Sequence, residues 1–162
     1  MIAAEVIDAL DLIEQDHRLV LDKVRALKEA VSLLLHPGDV SLTEVLDRLQ
    51  RLNEFFATKF TAHMQEEEAT LFPFLERQTA GGPALVAGLR RQHAEIQRKR
   101  EEFANCLEVA DGLEGGPPKM VLRDLLGYGW ELWDLLDSHA ADETRAVYRC
   151  FAHRIKSEAA GK

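Results

Sequence analysis

The stretch His63-Met64-Gln65-Glu66-Glu67-Glu68-Ala69-Thr70-Leu71-Phe72-Pro73 holds an uncommon conflict. Leu49, Leu52, Phe56, Phe60, Leu71 and Phe74 recur at helical spacing through it and define one apolar stripe. His63 and Glu67 fall on that stripe. Residues four apart share a helix face, so both side chains are aimed at a core. A carboxylate there is costly unless it is paired or bound to a metal. His139-Ala140-Ala141-Asp142-Glu143 repeats the conflict, with His139 and Glu143 on the stripe of Leu125, Leu132, Leu136, Val147 and Cys150.

Working outward, three clusters of helix breakers divide the chain: His36-Pro37-Gly38-Asp39, Gly81-Gly82-Pro83, and Gly112 through Pro118. Four long segments with helical periodicity remain, over about 4–35, 42–76, 83–110 and 118–157. Ser41 is placed to cap the second, with Glu44 completing a capping box. Pro73 is expected to kink or tighten the second segment near its end. Short connections between long helices favour antiparallel neighbours. The expected fold is all-α: an antiparallel up-down four-helix bundle, one domain over residues 1–162.

The first segment carries Ile13, His17, Val20, Val24, Leu27, Val31 and Leu34 on its stripe, and the third carries Leu89, His93, Ile96, Phe103 and Leu107. A shift of 76 residues superposes the two halves. It sets His17 on His93, His63 on His139, Glu67 on Glu143, and Leu49, Phe56 and Phe60 on Leu125, Leu132 and Leu136. Val24 falls on Arg100 and breaks the match. The pattern is that of a duplicated helical hairpin, a two-fold pseudo-repeat. Within the first hairpin, His17 lies 19 residues before His36 and His63 lies 22 after Ser41. The mismatch is only about 4–5 Å along the axis at the rise of an α-helix.

A lone histidine on an apolar stripe is more often a satisfied core residue than a ligand. Four in register, two with a carboxylate one turn on, instead make a ligand set for borderline divalent metals. The candidate metal ligands are His17, His63, Glu67, His93, His139 and Glu143. Glu66 and Asp142 also follow each histidine by three and are read as partners of the ligands or a solvated edge, with Glu68 outside. His36 is expected to end the first helix, where a cation meets the negative dipole end. Neither it nor His153 belongs to the set. Trp130 and Trp133 cannot both face the bundle axis.

Composition narrows the field. Apolar residues make up 46% of the 162, enough for a core, and the formal net charge is −8. With no basic segment, nucleic acid and anionic membranes are disfavoured partners. No apolar run reaches the length of a membrane span, and the acidic N-terminus lacks the features of a signal peptide. Cys106 and Cys150 read as two buried, reduced thiols, and a cytoplasmic location is expected.

These residues resemble the hemerythrin-like family, also called HHE cation-binding domains. The resemblance rests on Asp16-His17-Arg18, on the His63–Pro73 stretch with its acidic run and Leu-Phe-Pro ending, on Gln92-His93, and on His139 with Glu143. It implies a non-haem di-iron site, with His17 and His63 on one iron, His93 and His139 on the other, and Glu67 and Glu143 bridging. Iron is placed ahead of manganese and zinc. The resemblance further implies binding of oxygen, nitric oxide or a related oxidant. The oxygen-carrying members have a second histidine one turn after the third-helix histidine, where this chain has Gln97. Their fourth-helix carboxylate is an aspartate at a spacing of five, where Glu143 stands at four.

Three function classes stay open: a binding protein for a small diatomic ligand or peroxide, a di-iron redox enzyme acting on peroxide or nitric oxide, and an iron- or oxygen-sensing module. The residues leave open whether the chain is an enzyme. Tyr128, a possible proton donor, lies 11 residues from His139, about 16 Å along a helix, too far to reach the metals directly.

Overall fold

The computed structural model describes residues 4–160, and the side chains of Asp11 and of residues 14–150. The stripe position of Ile13 and the exclusion of His153 therefore concern side chains outside the described residues. The helices are α1 (Ala4–Ser32), α2 (Leu42–Ala57), α3 (Lys59–Glu66), α4 (Phe72–Gln78), α5 (Gly82–Gly112) and α6 (Lys119–Ala160), with a π-helical turn at Glu67–Leu71 between α3 and α4. They form four arms, because α2, α3, the π turn and α4 run on as one. No strand occurs among the described residues.

Contacts between arms fix their directions. Gln92 meets Asp142, Lys99 meets Glu131, and Cys106 meets Val121, so numbers rise on α5 as they fall on α6. His17 lies on Glu67 and Lys23 over Phe55, which gives the same relation for the first two arms. Val31 packs where a side chain at Gly129 would sit, and Lys28 lies over Trp133, so α1 is antiparallel to α6 and closes the bundle.

The second arm departs from the single helix that periodicity predicts. At Thr58 (φ −112°, ψ −79°) the helix breaks, and Thr58 Oγ1 donates to Glu54 O at 2.8 Å. The second interruption has a clear cause. Pro73 has no N–H and its ring clashes with the carbonyl four residues back. The turn before it widens, and Phe72 N–H reaches the carbonyl of Glu67, five residues back. Pro73 thus acts just upstream of itself, in the turn that carries Glu67 and Glu68.

Two smaller expectations also change. Ser41 caps α2, accepting from Glu44 N–H at 3.1 Å, but the Glu44 carboxylate turns to Arg48 at 2.5 Å instead of closing the capping box. His36 does not end α1. The last turn tightens through Leu33 N–H to Ala30 O and Leu34 N–H to Val31 O, the helix ends at Ser32, and His36 is exposed beyond it. The following Pro37 disfavours helical backbone at His36. Trp130 and Trp133 are both half-buried, edge to face at 5.4 Å, against the rim of the core.

The buried apolar residues fall into two clusters. The larger runs from Val20, Met64, Ile96 and Leu136 away toward one end of the bundle. The smaller contains Leu71, Phe72, Leu75, Val86, Leu89, Ala146 and Cys150. Between them lies a polar layer in which His63, Glu67, His93, His139 and Glu143 are all buried.

The turn from α4 into α5 is close-fitted. A Cβ on Gly82 would lie 2.5 Å from Leu75 O and 2.7 Å from Glu76 O, both backbone atoms that cannot rotate away. Gly82→Ala is therefore expected to cost about 1–3 kcal/mol by overpacking. Thermal unfolding of the metal-free protein checks this, and an unchanged midpoint would show that the turn yields freely.

Candidate metal centre

Each arm delivers its polar side chains to one level. His17 comes from the middle of α1, His63 from the end of α3, Glu67 and Glu68 from the π turn, His93 from α5, and His139 and Glu143 from α6. The six residues singled out from sequence all meet here. Glu67 is central: Oε1 lies 3.0 Å from His17 Nε2 and also contacts His63 Nε2, while Oε2 lies 3.2 Å from His93 Nε2. Glu143 Oε2 lies 3.3 Å from His17 Nε2 and 3.5 Å from His139 Nε2. His93 and His139 face each other through Nε2 at 3.1 Å.

Two overlapping groups have ligand atoms within 4.8 Å of one another and could each hold a metal ion: His17, His63 and Glu67, and Glu67, His93 and His139. Glu67 is common to both. Glu143 touches one histidine of each group.

The far sides of the rings are also occupied. Glu68 Oε1 accepts from His93 Nδ1 at 2.8 Å. Gln92 Oε1 accepts from His139 Nδ1 at 2.8 Å. Asp16 Oδ2 lies 3.5 Å from His63 Nδ1. A ring that donates from Nδ1 presents a lone pair at Nε2, the arrangement typical of histidine bound to metal. Placing Glu68 outside the site is therefore a correction: the widened π turn brings two successive carboxylates to the same side, one inward and one behind His93. Glu66 is exposed and Gln97 half-buried, and neither joins a metal-holding group among the described residues.

The electrostatics describe a place built for cations. Burial opposes charge on His17, but hydrogen bonds to Glu143 and Glu67 overcome it and raise the imidazole to about 10. Burial likewise opposes ionisation of Glu67, yet the facing imidazoles of His17, His63 and His93 hold its carboxyl well below the usual range. Burial pushes Glu143 up, and the neighbouring charge of Glu67 adds to it. Burial and the nearby His93 push His139 down to about 4, so it is a neutral imidazole near pH 7.

The donor set fits a pair of metal ions on two grounds. Glu67 Oε2 and Glu143 Oε1 are buried and accept no hydrogen bond, although His93 lies within ion-pair distance of the first. Orphaned buried acceptors of this kind call for an explanation, and a cation held between them is one. With both Nδ1 atoms donating, to Glu68 and to Gln92, the two Nε2 lone pairs of His93 and His139 at 3.1 Å need an added proton or a metal between them. The residues that would hold the ions are the six named from sequence, with Glu67 shared.

Residues 8–151 match the hemerythrin HHE cation binding domain, which is most of the chain. No curated protein and no solved structure matches. The extent of that match, laid over four helical arms that bring histidines and glutamates into one buried layer, decides the matter: the chain belongs to the hemerythrin HHE cation-binding domain family.

Proposed function

We propose that this chain, folded as one domain, holds two non-haem iron ions on His17, His63, Glu67, His93, His139 and Glu143, and binds oxygen, nitric oxide or a related small oxidant there. The observation that carries the reading is the pair of ligand groups sharing Glu67. Four imidazoles with carboxylates between them suit iron or manganese better than zinc. The two-fold repeat of hairpins offers an origin for the pairing, one half-site per hairpin.

Bound iron would supply redox chemistry and open coordination positions. The protein's own residues do the rest. The two apolar clusters keep bulk water from the layer. The side chains of His63, His93 and His139 are at most 7% exposed, whereas that of His17 is 22% exposed. Solvent therefore reaches the layer beside α1, the side from which a small ligand would enter. Tyr128 packs in the rim of the larger cluster, remote from the layer. With no tyrosine at the site among the described residues, binding is favoured over turnover. Among the described residues no helix is long and apolar enough to cross a membrane. A cytoplasmic location remains part of the proposal.

Anaerobic reconstitution with ferrous iron, followed by optical spectra on adding oxygen, nitric oxide or peroxide, tests this reading. A reversible visible absorption change is the expected result. Repeated consumption of peroxide would make the chain an enzyme instead. The double variant His63→Ala/His139→Ala takes one imidazole from each group and should hold no metal pair. Two ions per chain in that variant, with helicity retained, would overturn the ligand assignment.

A further inference from the structure

Behind His139 lies a chain of hydrogen bonds with a defined direction. Arg145 Nη2 donates to Asp142 Oδ1. Gln92 Nε2 donates to Asp142 Oδ2 at 2.7 Å. His139 Nδ1 meets Gln92 Oε1 at 2.8 Å. Arg145 can only donate and an ionised carboxylate can only accept. The Gln92 amide must therefore turn its NH2 to Asp142, which leaves its oxygen for His139. His139 must then carry its proton on Nδ1 and offer the lone pair of Nε2 to the bundle interior.

The geometry points to Gln92 and Asp142 as positioning residues that set the tautomer of His139 and thereby prepare the His93–His139 half of the centre to take a metal ion. This rests on the di-metal reading given above but extends it to residues outside the ligand set. The two halves solve the same problem differently. Asp16 stands 76 residues before Gln92, as His17 does before His93. In the first half the Asp16 carboxylate sits directly behind His63, at 3.5 Å. In the second half the carboxylate, Asp142, acts through an amide, and the shorter contacts make the tautomer of His139 the more tightly specified.

Asp142 and Arg145 line an open cleft between α5 and α6, so changing them leaves both apolar clusters intact. In Asp142→Asn, Arg145 still claims the Asn oxygen, and the Asn NH2 then faces Gln92. The Gln92 amide is expected to turn over, present its own NH2 to His139, and force the proton onto Nε2. In the double variant Gln92→Glu/Asp142→Asn every bond is satisfied again. Arg145 donates to the Asn oxygen, the Asn NH2 to one Glu oxygen, and His139 Nδ1 to the other.

The test is nitrogen-15 NMR of the imidazoles in the metal-free full chain, with circular dichroism to confirm retained helicity. The expected result is His139 protonated on Nδ1 in the starting protein, on Nε2 in Asp142→Asn, and on Nδ1 again in the double variant. Ferrous iron titrated without oxygen should bind about 10–100-fold more weakly to one of the two sites in Asp142→Asn and recover in the double variant, as for other groups that orient metal ligands. An Nε2 proton in the starting protein, or the same tautomer in all three, would overturn the assignment. Failure of the starting protein to bind iron would instead strike the di-metal reading, while the metal-free tautomer order still decides the role of Gln92 and Asp142.

Discussion

Glu67→Gln should weaken both metal ions at once, whereas His63→Ala should weaken chiefly one. Glu67 belongs to both ligand groups, and its two oxygens reach toward His17 and His63 on one side and His93 on the other. The amide keeps the shape but loses the charge and replaces one acceptor with a donor. That donor would face imidazole nitrogens already occupied with their own partners. A fall of at least 100-fold in affinity for each ion is expected, about 2.8 kcal/mol apiece at 1.4 kcal/mol per factor of ten. Ferrous titration under anaerobic conditions, with metal analysis of the desalted protein, reads both stoichiometry and affinity. If Glu67→Gln bound one ion normally and lost only the other, Glu67 would be a ligand of a single metal and the shared arrangement would fail.

The positions of the six central side chains were readable because two independent patterns agree. An apolar stripe says which face is buried, and a charged residue on that face is too costly to be incidental. What could not be read are the features that depend on backbone departures. His63 and Glu67 lie four apart on either reading, but Glu68 reaches the back of His93 from a π-helical turn that helical periodicity does not contain. Pro73 was the signal for it, but its effect is a widening of the turn just before it, where a kink or a tightening near the segment's end was expected. The break at Thr58 has a weaker signal, since a threonine inside a helix ordinarily bonds back to the preceding turn without ending it. Gln92 was visible only as the residue before His93. Its role behind His139 depends on how α5 and α6 pack, and that distance information lies between segments.

The layer also explains why the core is divided. The polar side chains leave Phe60, Met64 and Ile96 on one side and Leu71, Phe72 and Leu89 on the other. Neither cluster can reach across without burying the site's charges against hydrocarbon. Metal binding to the folded chain adds stability by linkage, so the division is costliest in the metal-free protein. The smaller cluster, with seven fully buried members among the described residues, has the least apolar area to offset it.

Phe72→Ala is accordingly expected to be the most damaging single truncation in that cluster, and to report on the site as well. Phe72 is fully buried at the first position of α4, directly after the π turn, and its ring stacks on His93 with centroids 5.1 Å apart. Truncating a buried phenylalanine costs about 3–5 kcal/mol, the upper end where surroundings cannot collapse into the cavity. Here the backbone beside it is held by Pro73 and by the tight turn at Gly82, which leaves little room to relax. For a chain of this size the loss corresponds to a fall of roughly 10 °C in the unfolding midpoint. Urea unfolding of the metal-free protein gives the free energy directly. Phe56→Ala, in the larger cluster, should cost a similar amount and leave the iron affinities of the folded protein unchanged. Phe72→Ala should in addition loosen His93 and weaken the ion it shares with His139. Phe72→Leu separates the two effects, since it restores most of the volume but not the ring. A loss below about 1 kcal/mol in Phe72→Ala would mean that the small cluster repacks readily and that the layer, not the apolar contacts around it, holds this end of the bundle together.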